Sequence, residues 1–400
     1  MNSVSSRYNF DSNSHALDKA GLFALCVAAF ASMSSMRLCD PLLPALAQTF
    51  DTTTGEAAYT ISAFAVSYGL LQLFFGPLGD RYGKFRVIAV AVSCCTIGNV
   101  LAIFARDMQW LVLARALSGA TAGGIIPLSL AWVGDAVSYE RRQEVLGHLM
   151  VATLLGTAFG QWMSGVLVDL VGWRWPFAVM VVMFAVMGLV LRGMSRSRSG
   201  MAHAPGAGIG FTRGMVVVLR MRWARWILLL TVLEGAFAFS AVSFVPSYLH
   251  HRFTMPLSQA AAIVALFAGG GLIYALQARR MVAWMGERRL ALSGSAAMGI
   301  CLIGMALISH ASMALPACLF AGLGFAMLHA TLQTHATQMA PTVRGTATAL
   351  FGASIFLGQS LGILAAAFAV DHGGFRSVFA IAGTVIIVTG YAFARSLPRT

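Results

Sequence analysis

The chain has 400 residues, of which 58% are hydrophobic and only 10% are charged, and its mean hydropathy is +0.78. Soluble domains carry about 25% charged residues, so this composition excludes a soluble protein and predicts an all-α membrane protein. The net charge of +13 does not indicate nucleic acid as a partner, because the basic residues are spread over short loops between apolar runs.

Twelve apolar runs follow one another along the chain, each bounded by charged residues, Gly or Pro. A helix needs ~20 apolar residues to cross the ~30 Å hydrocarbon core of a bilayer, and each run is about that long. We therefore predict twelve transmembrane helices. The runs lie at 20–41, 57–78, 87–105, 108–133, 146–168, 175–192, 225–248, 258–278, 289–309, 313–336, 346–370 and 376–395.

The basic residues predict the orientation of these helices. If the N-terminus is cytoplasmic, 21 of the 27 Lys and Arg residues fall in cytoplasmic segments and five fall in the outer loops. Cytoplasmic loops of membrane proteins carry such an excess of positive charge, so both termini are predicted to be cytoplasmic.

The longest loop divides the chain into two halves that resemble each other. We predict an N-terminal six-helix half (1–192), a cytoplasmic linker (193–224) and a C-terminal six-helix half (225–400). At an offset of 202 residues, Gly156 corresponds to Gly358 and Asp169 to Asp371. Two six-helix pseudo-repeats that rock about a midplane site are a transporter architecture. The end of the linker, roughly 212–222, reads either as an interfacial amphipathic helix or as a disordered tether.

The loop after the second run, GPLGDRYGKFR (76–86), combines glycines with charge. Glycine permits the tight reversal between two helices, and the basic residues hold the loop on the cytoplasmic side. With Asp135 and Arg344 the loop forms either an inner gate of ion pairs or a solvated surface. The residues of interest in this loop are Gly76, Asp80, Arg81, Gly83, Lys84 and Arg86.

This loop resembles motif A of the major facilitator superfamily, and three further stretches agree. LVLARALSG (111–119) resembles motif B, with Arg115 as its buried arginine, and RLCDPLLPALAQTF (37–50) resembles the twelve-span drug:proton antiporter branch. The fifth run has the glycine spacing of motif C, but Gln161 stands where proline is usual and Ser164 where glycine is usual. The glycines of that spacing are Gly147, Gly156, Gly160 and Gly165.

The resemblance implies a fold, an activity and a location. It implies a twelve-helix carrier of the inner (cytoplasmic) membrane that works by alternating access, acts as a monomer and couples transport to protons. It also implies a part for Arg115 in proton transfer, although a structural hydrogen-bonding role is the alternative. No cofactor is implied.

Acidic residues inside the apolar runs are candidate coupling sites, because a charge in the bilayer centre costs at least ~2.5–3.5 kcal/mol. Glu234 lies ~13 Å along the seventh helix from Arg225, and we expect it to carry a proton or to pair with a cationic substrate. A neutral structural role is the alternative. Asp40 lies one turn from Arg37, so it is either part of an ion pair at the membrane interface or a coupling residue.

Polar residues in the tenth and fifth runs either line the transport cavity or bond between helices. They are Gln161, His329 and Gln333. His329 and His335 are six residues apart, whereas two metal ligands on one helix face are four apart, so we expect no metal site.

Two functions remain open, and neither is enzymatic. The first is proton-coupled efflux of drugs or other hydrophobic compounds. The second is a proton-coupled carrier for a specific metabolite, such as an amino acid, sugar, vitamin or nucleoside. The chain contains no HExxH, GxSxG or phosphate-binding loop, so we expect neither an enzyme nor a direct use of ATP. The expected partners are a small-molecule substrate, protons and the lipid bilayer.

Overall fold

The computed structural model describes residues 19–197 and 211–397, and the regular secondary structure within these ranges is helical. A π-helical segment, Gly235–Phe239, lies between α11 and α12. The α-helices are α1 (Lys19–Arg37), α2 (Leu43–Thr49), α3 (Thr54–Ala57), α4 (Tyr59–Tyr82), α5 (Lys84–Ile103), α6 (Met108–Ala122), α7 (Ile125–Ala136), α8 (Tyr139–Leu170), α9 (Arg174–Ser197), α10 (Phe211–Arg220), α11 (Arg222–Glu234), α12 (Ser240–Phe253), α13 (Leu257–Leu307), α14 (Ala314–Gln338), α15 (Arg344–Gly373) and α16 (Phe375–Ser396).

Eleven helical segments of the described residues, rather than the predicted twelve, are long and apolar enough to cross a membrane. The difference arises at α13, which has 51 residues and covers two of the predicted runs, 258–278 and 289–309. A straight helix of this length would extend ~75 Å, more than twice the bilayer core, so α13 comprises two helices that meet at a kink. It is interrupted at Gly286, whose φ of 70° and ψ of 163° are not helical.

Tight reversals occur at four glycines with positive φ, and these glycines form two repeat-related pairs. Gly83 (φ 87°) separates α4 from α5, and Gly286 (φ 70°) interrupts α13. Gly172 (φ 102°) follows α8, and Gly374 (φ 76°) follows α15. Residues with a Cβ rarely adopt this conformation, so the reversal predicted at Gly83 needs glycine.

The buried apolar side chains form two main clusters. One draws almost entirely on α1–α9 and the other on α10–α16. The predicted halves 1–192 and 225–400 and the linker 193–224 stay predictions, and residues 198–210 of that linker lie outside the described ranges. Of the two readings of residues 212–222, a helix or a disordered tether, the structure has a helix, α10, over Phe211–Arg220; its position at the membrane interface stays a prediction. The orientation of the two termini also stays a prediction.

Candidate functional site

Glu234 is the last residue of α11, and the π-helical segment begins directly after it. Its side chain is 0% exposed. Its Oε2 lies 3.1 Å from Nδ1 of His329 on α14, whereas its Oε1 has no hydrogen-bond partner among the described residues. Short π-helical segments occur frequently at functional sites. A buried carboxyl group with one free oxygen therefore lies next to a histidine side chain, at the point where α11 passes into the π-helical segment.

The π-helical segment packs very closely against α15, which explains its small residues. A Cβ at Gly235 would lie within 3 Å of the carbonyl oxygen of Ile355. On α15, a Cβ at Gly358 or at Gly362 would meet the α11–α12 backbone at a similarly short distance. Glu234 therefore lies directly beside the close contact between the π-helical segment and α15, so a shift of α15 would move it.

His329 connects the buried glutamate to a group of aromatic rings. The imidazole is stacked on Phe325, with ring centroids 5.2 Å apart, and its centroid lies 5.4 Å from that of Phe351. Phe325 also contacts Phe239 at 5.0 Å and Phe267 at 5.6 Å. The His329 side chain is 25% exposed, so this cluster is open on one side. We call these four phenylalanines and His329 the aromatic wall.

Arg37 and Asp40 form a buried ion pair at the end of α1. Arg37 Nη2 lies 3.0 Å from Asp40 Oδ2, and the side chains are 3% and 0% exposed, so the pair is enclosed by protein. The two roles considered for it, an ion pair at the membrane interface or a coupling site, both stay predictions. Gln161 Nε2 on α8 donates to Asp40 Oδ2 at 3.1 Å, and Arg37 Nη1 donates to Ser243 Oγ on α12 at 3.2 Å. The pair therefore joins three helices, and the hydrogen bond to Ser243 links the two main groups of helices.

Arg115 on α6 is also fully buried, and it is held mainly by an aromatic ring. Its guanidinium carbon lies 4.3 Å from the ring centroid of Phe64, and its Nη1 donates to Ser35 Oγ at 3.5 Å. Nε and Nη2 have no hydrogen-bond partner among the described residues. Cation–π contact stabilises a charge that is withdrawn from water.

The charged loop predicted at 76–86 is instead the end of α4, Gly83 and the start of α5, and its charged side chains are largely exposed. Asp80 is 67% exposed and lies 3.7 Å from Lys84, which also pairs with Asp135 of α7. Arg81 lies over the ring of Tyr82, and Gly76, Arg86 and Arg344 are exposed. The described ion pairs of this loop stay within α4–α7, so the structure does not bring Arg344 to them.

The four glycines of α8 do not have the same surroundings. A Cβ at Gly156 or at Gly160 would come within 3 Å of a carbonyl oxygen of α1, and one at Gly165 would come equally close to Leu257. Nothing lies within 4 Å of a Cβ at Gly147, so close packing is seen at three of the four glycines. Gln333, the remaining predicted lining residue, lies exposed on α14.

Two aspartates that we did not predict as site residues join the helix groups at one end of the molecule. Asp169 at the end of α8 accepts hydrogen bonds from the backbone N–H groups of Leu257 and Ser258 at 3.3 and 2.7 Å. Asp371 at the end of α15 accepts from Gly55 N at 3.1 Å and from Thr53 Oγ1 at 2.7 Å. The repeat offset of 202 relates Asp169 to Asp371 and Gly55 to Leu257, and this signal could have identified them.

Comparisons with known proteins agree on a family. A family model described as Major Facilitator Superfamily matches residues 25–351. The uncharacterized transporter YgaY of Escherichia coli O157:H7 is 25% identical over 394 residues, which cover 96% of this chain and 98% of that protein.

Two further relatives match over about a third of their own length. The uncharacterized MFS-type transporter YwfA of Bacillus subtilis (strain 168) is 34% identical over 158 residues, 38% of this chain and 37% of that protein. The quinolone resistance protein NorB of Staphylococcus aureus (strain JH9) is 23% identical over 158 residues, 40% of this chain and 34% of that protein. Among solved structures, the nucleoside transporter NupG has a TM-score of 0.76 at 13% identity and covers 94% of this chain and 100% of its own, a likeness of fold alone.

Proposed function

Since the chain belongs to the major facilitator superfamily of membrane transporters, we propose that it exports small, largely apolar compounds across the inner membrane in exchange for protons. Glu234 is the proposed proton carrier, and the aromatic wall is the proposed substrate surface. The single observation that carries this proposal is the Glu234 carboxyl group, which is fully buried, has one free oxygen and pairs with a partly exposed histidine.

Exchange follows from the difference between the two protonation states of Glu234. An ionised carboxylate in an apolar site is stabilised by a nearby cation and destabilised by its loss. When Glu234 is ionised, the protonated His329 imidazole or a cationic substrate on the aromatic wall compensates its charge. When Glu234 takes up a proton, its charge no longer has to be compensated, and a bound cation is released. Proton binding and substrate binding thereby compete for one carboxyl group.

The Arg37–Asp40 pair is the proposed second coupling point. Asp40 already has a permanent counter-ion in Arg37, which cannot lose its proton in a protein. Asp40 is therefore less available than Glu234 to bind a proton or a cationic substrate. Because Arg37 also donates a hydrogen bond to Ser243, a change at this pair would alter a contact with α12. Arg115 adds positive charge to the same group of helices and would oppose the entry of further cations there.

The aromatic wall favours flat or apolar substrates. Phe325 and Phe351 contact the ring of His329, which pairs with the Glu234 carboxyl group, and Phe239 packs against Phe325; aromatic rings near a carboxylate are the combination that binds aromatic and cationic compounds. The name of NorB, quinolone resistance protein, supports the same class. The alternative is a carrier for one polar metabolite, and the amide of Gln161 and the imidazole of His329 favour it, because such groups bind substrate hydroxyl and amide groups.

The two substrate classes are distinguished in inverted membrane vesicles that hold an acid-interior pH gradient. We would add a quinolone, ethidium and uridine in turn and follow the gradient with a pH-sensitive dye. The proposal predicts collapse of the gradient with the first two compounds, loss of this response in Glu234→Gln and its retention in Glu144→Gln, a control at an exposed carboxylate. Collapse with uridine alone would favour the metabolite carrier, and an unchanged response in Glu234→Gln would exclude Glu234 as the proton carrier.

A further inference from the structure

α10 lies on the protein through one face and leaves the opposite face uncovered by the described residues. Gly214 and Val218 are buried, and a Cβ at Gly214 would lie 2.8 Å from Thr346 Oγ1 on α15. Val216 and Leu219 are 50% and 44% exposed. These apolar side chains point away from the helix bundle, at the start of the C-terminal helices.

Basic side chains accompany this exposed apolar face. Arg213 and Arg220 are seven residues apart, which puts them on one side of α10 and ~10 Å apart along its axis. Arg222 and Arg225 continue the series on the first turn of α11, and all four are exposed. We call these four residues the basic rim. An exposed helix with apolar and arginine side chains together is typical of segments that lie in a membrane surface.

The neighbouring tryptophans place the basic rim at the level of the lipid headgroups. Trp223 and Trp226 are half-buried on the first two turns of α11, and tryptophan is enriched where a spanning helix leaves the hydrocarbon core. Met221 alone separates α10 from α11, so the end of α10 with Arg220 lies at nearly the same height. The rim therefore faces the headgroup layer rather than bulk water.

The charge of the basic rim indicates which kind of partner it binds. The chain has no acidic residue between Asp169 and Glu234, so neither α10 and α11 nor the segment 198–210 can neutralise the rim. We propose that the basic rim binds acidic phospholipid headgroups and that the exposed apolar side chains of α10 enter the adjoining acyl layer. Arginine clusters on amphipathic helices beside a membrane recognise anionic lipids in this manner. Because α10 rests on α15, bound lipid would also fix the end of the helix that packs against Glu234.

The experiment uses the full chain in phosphatidylcholine nanodiscs that contain a minor fraction of phosphatidylglycerol. Bromine atoms on the acyl chains of one lipid at a time quench nearby tryptophan, and the contribution of Trp223 and Trp226 is the difference from the variant Trp223→Phe/Trp226→Phe. The proposal predicts several-fold stronger quenching by brominated phosphatidylglycerol than its share of the bilayer gives. It also predicts that the preference falls at high salt, because headgroup charge is screened.

Substitutions test whether the preference for phosphatidylglycerol depends on the basic rim rather than on positive charge elsewhere in the protein. Arg213→Gln/Arg220→Gln/Arg222→Gln should lose the preference, whereas the same three positions changed to Lys should keep it. Arg279→Gln/Arg280→Gln, at exposed arginines of α13, serves as the matched control and should keep it. A preference that survives the three Gln substitutions in a protein of normal helix content would overturn the proposal, and so would the absence of any preference in the unmodified chain.

Discussion

Buried charged side chains lie at three places among the described helices, and each is stabilised by a different kind of partner. Glu234 has an imidazole, Asp40 has a guanidinium group and an amide, and Arg115 has a phenyl ring. The positions of Glu234 and Arg115 could be predicted from the sequence, because a charge in an apolar run is conspicuous. Their partners could not be, because His329 is 95 residues from Glu234 and the pairing depends on how two helices meet.

The Arg37–Asp40 pair gives a stability prediction at this scale. Asp40→Asn leaves a buried guanidinium group without its counter-ion, and removing one member of a buried ion pair costs about 3–5 kcal/mol. We expect a clearly lower apparent melting temperature in detergent, measured by the loss of the folded peak in size-exclusion chromatography. Arg37→Gln/Asp40→Asn removes both charges and should melt closer to the unmodified protein. A melting temperature of Asp40→Asn equal to that of the unmodified protein would show that the pair carries no net stability.

At the scale of elements, helix contacts repeat between the two groups of helices. Gly156 and Gly160 of α8 face the backbone at Phe30 and Ser34 of α1, and the glycines 202 residues later face the backbone at Val232 and Ala236 of the α11 region. All eight positions of these contacts obey the same offset. Sequence comparison within the chain predicted the glycine pairs, but not the helices that they contact, since the contacted residues are not alike.

The glycines of α8 provide a matched pair of substitutions. In Gly160→Ala the new methyl group meets the α1 backbone, which must move, so we expect a lower apparent melting temperature and reduced transport. In Gly147→Ala the methyl group meets nothing, and the helix gains about 0.5–1 kcal/mol from the better helix former. Thermal unfolding of both variants under identical conditions checks this. Equal melting temperatures for the two variants would be incompatible with close α1–α8 packing.

At the scale of the whole molecule, the hydrogen bonds that we find between α1–α9 and α10–α16 in the described residues gather toward one end. They involve Asp169, Asp371, the Arg37–Ser243 contact and the contact of Ser62 with Ser360. That end is the outer one in the predicted orientation. The charged loop with Asp80 lies at the other end and is exposed. If the predicted orientation holds, these contacts would keep the outer side closed in an alternating-access cycle.

Weakening both aspartate contacts should shift the population of conformations. Asp169→Asn/Asp371→Asn keeps the side-chain size but removes the negative charge that favours the N–H groups at a helix start. We expect double electron–electron resonance between spin labels at positions 106 and 310, both in loops at the closed end, to gain a longer distance. Glu144→Gln, in the same labelled background without native cysteines, should leave the distribution unchanged. An unaltered distribution in the double variant would mean that these contacts do not hold the outer end closed.

The fold was predictable to a large extent because hydrophobic runs and loop charges follow directly from the bilayer. The count of twelve spans is not confirmed; the eleven segments include α13 as one, although two of the predicted helices meet within it at the non-helical Gly286. The contacts of Asp169 and Asp371 were not foreseen, because a carboxylate at a helix end looks like an ordinary loop residue until the opposing helix start is placed beside it.

The most direct test of proton-coupled transport uses purified protein in liposomes, with a transported compound from the vesicle panel. The account predicts that Glu234→Gln loses accumulation driven by a pH gradient and also binds a cationic compound more weakly, because the amide neither takes up a proton nor compensates a positive charge, whereas Glu144→Gln keeps both. Gradient-driven accumulation by Glu234→Gln at the rate of the unmodified protein would contradict the account.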